Sequence, residues 1–161
     1  MIAEYLNALG PDAARVALGR CCGSRRWVEA MLAAGPFPDD DAVFGAAERA
    51  WWALGPDDWR EAFAQHPRIG EPEGAGAWER AEQAGVAGAT GETRRALARG
   101  NREYERRFGH VFLVCAAGRS AHQLLTELRR RLAHDPADEL RVAAAEQAKI
   151  TRLRLEKLGP P

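Results

Sequence analysis

One piece of punctuation recurs along this chain and decides most of what it can fold into. Gly10-Pro11-Asp12, Gly55-Pro56-Asp57-Asp58 and Asp135-Pro136 each place a helix breaker or cap directly before a proline. Proline is tolerated in the first helical turn, where its missing N–H would have no intrahelical partner. Between such marks apolar residues recur three and four apart: Val43, Ala47, Ala50, Trp51 and Leu54, then Trp59, Ala62 and Phe63, and later Leu124, Leu125, Leu128 and Leu132. Val, Ile and Thr number 14 of 161 residues, so there is little material for a sheet. The reading is an all-α, single-domain compact helical bundle of roughly eight helices over residues 1–161.

The helix limits follow from local signals. Residues 2–9 form a short helix, and the next starts at Pro11. Ser24 caps a helix to about Ala34, which Gly35-Pro36-Phe37-Pro38 ends. Asp39-Asp40-Asp41 puts negative charge at the start of the following helix, where the backbone dipole favours it, and no calcium-loop spacing continues after it. A segment from Trp78 to Ala84 precedes a longer helix from Gly91 to Phe108, with Leu97, Asn101, Tyr104 and Phe108 on one face and Gly109 closing it. Ser120-Ala121-His122-Gln123 fits a capping box, with His122 on the surface, and Arg129-Arg130-Arg131 reads as a solvated helical face. The run His110 to Ala116 is too short to assign by periodicity, and is either strand-like or the start of a buried helix. Five tryptophans, four of them between 51 and 78, read as core or dimer-contact residues.

Composition narrows the class of function. Lysine and arginine total 23, as do aspartate and glutamate, which argues against a general nucleic-acid or anionic-membrane binder. No window approaches the roughly 20 apolar residues of a membrane span. Met1-Ile2-Ala3-Glu4-Tyr5 has neither a basic start nor an apolar signal core, and Leu158-Gly159-Pro160-Pro161 is no peroxisomal address, so a cytoplasmic location is expected. Cys21, Cys22 and Cys115 match no disulfide framework or zinc spacing and read as reduced, mostly buried thiols.

Three features carry chemistry. Ala64-Gln65-His66-Pro67-Arg68-Ile69-Gly70 leaves an imidazole where helical sequence stops, and Pro67 drives the residue before it away from the α region. A Gly- and Pro-rich loop from Glu71 to Ala77 follows, and then Glu82 and Gln83 set a carboxylate beside a carboxamide, a set suited to proton transfer. On a helical wheel Leu140, Ala144, Gln147, Thr151, Arg154 and Leu158 share an inward face. Arg154 there either snorkels out along its stem or points into a pocket and binds a carboxylate or carbonyl oxygen. Gly74-Ala75-Gly76 lacks the lysine of a phosphate loop and reads as a flexible turn; His134 has no second metal ligand beside it.

Taken in order, several segments resemble the 2-oxo-4-hydroxy-4-carboxy-5-ureidoimidazoline (OHCU) decarboxylases of urate degradation. They are Phe63 to Gly70, Trp78 with Glu82-Gln83-Ala84-Gly85, Asn101 with Tyr104 to Gly109, Phe112 to Ser120, and Glu139-Leu140, Glu146 and Lys149 to Leu155. The resemblance implies an all-helical, homodimeric, cofactor-free enzyme without a metal that decarboxylates OHCU, a small ureido-imidazoline, to S-allantoin. It puts the catalytic histidine on His66 and the motif glutamate on Glu82. Substrate-binding positions fall on Pro67, Glu79, Gln83 and Arg154, and on the main chain of Phe112, Leu113, Val114, Cys115 and Ala116. At Glu79 the family commonly has serine, so an acceptor-only carboxylate replaces a hydroxyl that can donate. The competing readings are a decarboxylase-like protein acting on a related ureide, a metal-dependent ureide hydrolase, and an inactive helical interaction module.

Overall fold

The computed structural model describes residues 1–71 and 76–160. Gly74 and Ala75 of the expected glycine turn lie outside the described residues. The fold is all-α: among the described residues there are nine α-helices, one 3-10 turn and no strand. The helices are α1 (Ile2–Ala8), α2 (Pro11–Cys21), α3 (Arg25–Ala34), α4 (Asp40–Trp52), α5 (Pro56–Phe63), α6 (Ala77–Glu82), α7 (Gly91–Phe108), α8 (Ala121–Leu132) and α9 (Pro136–Glu156); the 3-10 turn is Ala84–Val86. None is long and apolar enough to cross a membrane. The chain groups into two compact units, residues 1–62 with 148–161, and residues 63–147.

In the first unit, caps set the helix starts. Ser24 Oγ accepts from Trp27 N at 3.2 Å, and Asp39 accepts from Ala42 N at 2.8 Å. Asp40 accepts from Ala3 N at 2.9 Å, so two of the three aspartates serve backbone amides. Trp27, Met31, Val43 and Leu18 are buried, and the Trp27 indole N–H donates to Ala47 O at 3.1 Å. Trp51 and Trp59 are core residues as expected, while Trp52 is exposed. Ala148 to Pro161 bring the end of α9 into this unit, where Ile150 and Leu155 are buried.

The second unit is built on α7 and α8. Leu97, Tyr104, Phe112, Val114, Leu124 and Leu128 form its core. At Gly100 a Cβ would stand 2.5 Å from Leu128 Cδ2, which is how closely the two helices approach. Gly109 ends α7 in the left-handed region (φ 78°), and the capping box of Ser120 and Gln123 starts α8.

Three expectations are corrected here. Arg131 is not on a solvated face. It lies seven residues after Leu124 on the buried stripe, is 0% exposed, and bonds to Glu139, itself 0% exposed. Arg129 and Arg130 are exposed as expected. The segment after His110 is neither strand nor helix start: residues 111–116 carry no regular secondary structure. Their backbone is served instead by side chains, Arg131 Nη1 donating to Leu113 O at 2.7 Å and Cys115 N donating to Glu146 Oε1 at 3.3 Å. Finally, Glu139 takes the buried place expected for Leu140, which is half-buried, and His134 pairs with Glu139 at 2.9 Å.

Candidate active site

Helix α5 ends at Phe63, and one more turn, closed by His66 N donating to Phe63 O at 3.1 Å, brings the chain to His66-Pro67. Pro67 cannot supply an N–H to continue the helix, which leaves the half-buried imidazole at the break. The following turn is fastened at every residue. Ile69 is buried, and its carbonyl accepts from Asn101 Nδ2 at 2.8 Å. Gly70 adopts φ 87°, a conformation side-chain-bearing residues rarely take. Arg68 pairs with Glu105 at 2.7 Å.

Gln83 is the brace of this turn. Its Oε1 accepts from Gly70 N at 3.0 Å and its Nε2 donates to Arg68 O at 3.4 Å. The amide keeps one N–H and one lone pair beyond these two bonds. Glu82 precedes it, half-buried, at the end of α6. Glu79, three residues into α6, folds back on its N-cap: Oε2 stands 2.6 Å from where a Cβ on Gly76 would be. A carboxylate there sits at the positive end of the helix dipole.

His66 and Pro67 line a cleft of about 720 Å³ together with Arg68, Gly70, Glu71, Arg94 and Val111. Arg94 donates to Ala87 O at 2.8 Å and is exposed. On its inner side the ring meets a buried amide, His66 Nε2 lying 2.7 Å from Oε1 of Gln147, which is 0% exposed. The same stretch of α9 thus holds two parts of the unit, Glu146 the amide of Cys115 and Gln147 the ring of His66. Of the run from Phe112 to Ala116, all but Cys115 are buried, and Cys115 is half-buried.

Arg154 belongs to the first unit. It is 5% exposed and donates to Arg20 O at 3.3 Å, so it does not snorkel into solvent. Arg94 was not among the residues singled out in the sequence. Glu146 stood there only as one of the residues that carry the resemblance, and Gln147 only as a polar side chain on an otherwise mostly apolar wheel face.

The second unit thus presents an imidazole on an open cleft, its inner nitrogen on a buried amide. The OHCU decarboxylase family model matches residues 7–156, and the chain belongs to that family. It is 34% identical over 145 residues to the uric acid degradation bifunctional protein TTL of Arabidopsis thaliana, covering 86% of this chain and 45% of that protein. It is 38% identical over 76 residues to the mouse (Mus musculus) OHCU decarboxylase, covering 47% of this chain and 43% of the relative. The chain thus spans less than half the length of these curated relatives. A crystal structure of OHCU decarboxylase in the presence of (S)-allantoin superposes with a TM-score of 0.76 at 34% identity, covering 86% of this chain and 94% of that one. A crystal structure of (S)-allantoin synthase, at 18% identity and a TM-score of 0.75 over 96% of this chain and 52% of that one, shares the fold.

Proposed function

We propose that this protein decarboxylates OHCU to S-allantoin in urate and purine catabolism, without a cofactor, as a cytoplasmic homodimer in which residues 1–161 work as one domain. The observation that carries the reading is the cleft at His66, in a chain whose family match runs from residue 7 to 156. The similarity to an OHCU decarboxylase crystallised in the presence of (S)-allantoin supports the same substrate class.

The chemistry asks little of a metal. The C–CO₂ bond breaks, its electron pair enters the conjugated ring, and one proton delivered to one face sets the S configuration. His66 moves that proton, and Glu82 tunes it electrostatically. Gln83, with one N–H and one lone pair beyond its bonds to the turn, pairs with a ureido or ring amide. Pro67 packs beside the substrate, and main-chain groups of Phe112 to Ala116 meet its oxygens. Arg154 as a carboxylate partner rests on the family resemblance. Glu79, whose carboxylate lies by the start of α6, stands at the position where the family commonly has serine and contacts the substrate there. Arg94, on the cleft, adds a cation for the departing carboxylate.

The test is stereochemical. OHCU is generated freshly from urate with the two upstream enzymes, and the circular dichroism of the allantoin is followed with this protein and with His66→Asn. Rapid formation of one enantiomer, lost in the variant, is expected. Slow racemic product with the native protein overturns the reading.

A further inference from the structure

Resting on the reading of His66 as the proton-transfer group, we infer that Gln147 is a positioning residue that fixes the neutral ring as its Nε2–H tautomer, so that Nδ1 is the nitrogen that exchanges a proton with substrate. A neutral imidazole carries one hydrogen, and which nitrogen holds it is set by the bond the other makes. His66 Nε2 lies 2.7 Å from Oε1 of Gln147, and that oxygen can only accept. Nε2 must therefore donate. Gln147 is 0% exposed, so water does not compete for this bond.

The choice of an amide matters chemically. A carboxylate at this distance would favour the imidazolium, whereas a carbonyl oxygen orders the proton without adding charge. Charged groups near the ring include Arg68 and Glu71 from its own turn, Arg94 from α7 and Glu146 beside Gln147 on α9, and on the proposed reading Glu82 from α6 faces it as well. With the single proton of the neutral ring held on Nε2 toward the interior, Nδ1 is the basic nitrogen, and a proton that it takes up from solvent in the open cleft is passed to the substrate from one direction. A ring free to exchange tautomers would present donor and acceptor alternately, and rate would fall in proportion to the wrong form.

The first readout needs neither substrate nor variant activity. In ¹⁵N-labelled protein each of the four histidines gives a pair of ring nitrogens, and His66 is assigned by the resonance lost in His66→Asn. The expected result is a protonated Nε2 and an unprotonated Nδ1 for the neutral ring. An Nδ1–H ring, or a mixture in exchange, overturns the proposal. Gln147→Leu should give that mixture and lower kcat by about tenfold, the scale of one lost hydrogen bond, with KM little changed. Gln147→Glu should move the acid limb of the pH–rate profile upward by roughly one unit, because an anion now faces Nε2. A profile that stays in place while the variant is folded also overturns it. Full turnover by His66→Asn would remove the catalytic reading of His66 while leaving the tautomer measurement to stand or fall by itself.

Discussion

Arg131 and Glu139 form an ion pair at 0% exposure on both sides, and the pair is completed by groups that use its remaining bonding capacity. Tyr104 O–H donates to the carboxylate that Arg131 holds, His134 takes the other oxygen, and the guanidinium lies 4.8 Å from the centre of the Phe112 ring. Removing one member of such a buried pair costs about 3–5 kcal/mol, because the other charge is left without a partner. Glu139→Ala and Arg131→Met are each expected to lower unfolding free energy by about that amount in urea titrations. The double variant should lose clearly less than the two losses added. Additive losses would show that the groups are not coupled.

The alkaline side of the stability curve is set partly by two thiols. Burial pushes Cys21 and Cys22 from the ordinary 9.0 up to about 12, against the opposing pull of Arg154. The folded state therefore keeps both protons after the unfolded chain has released them. Stability is complete below about pH 9 and falls as pH rises from there through about 12, by about 1.4 kcal/mol per pH unit for each thiol. Denaturant midpoints at pH 8 and pH 10 should show the decline, and a Cys21→Ala, Cys22→Ala double variant should show a shallower one.

The caps give a separate, local test. Ser24 is 0% exposed, and its Oγ satisfies the amide of Trp27, itself a fully buried residue. Ser24→Ala leaves that amide without its partner in a place water does not reach. A loss of about 1–2 kcal/mol is expected by thermal or urea unfolding. Ser24→Thr keeps the acceptor and should recover part of it, which separates the lost bond from lost packing.

These caps were legible in the sequence because they are bonds between residues three apart, and Gly109 because a left-handed helix end asks for one residue type. The break at His66 was legible for the same reason, since Pro67 acts on its neighbour. Arg131 was not. Its neighbours Arg129 and Arg130 are exposed, and only partners 8, 18 and 27 residues away make its burial affordable. The wheel put Gln147 inward, yet nothing local could say that it meets a ring 81 residues back. The irregular segment after His110 had no period to read, because it joins no helix or ladder, and its carbonyl at Leu113 and amide at Cys115 are instead met by the side chains of Arg131 and Glu146.

Gly85 shows what the last residue of the Glu82-Gln83-Ala84-Gly85 motif is for. A Cβ there would stand 2.0 Å from the carbonyl oxygen of Arg119 and 3.5 Å from Ser120 Cα, and both are backbone atoms that no rotamer change can move. The 3-10 turn Ala84–Val86 and the chain entering α8 touch at this point, with Val86 and Ala121 both in the core. Gly85→Ala must push the two apart. Overpacking of this kind costs about 1–3 kcal/mol, and here the displacement is passed along two residues to Gln83, the brace of the turn that carries His66. The expected result is a destabilised protein whose kcat falls at temperatures where it is still fully folded. Gly88→Ala, where a Cβ meets nothing within 4 Å, is the control and should leave both quantities close to the native values. Equal behaviour of the two variants would mean that the contact at Arg119 does not constrain the site.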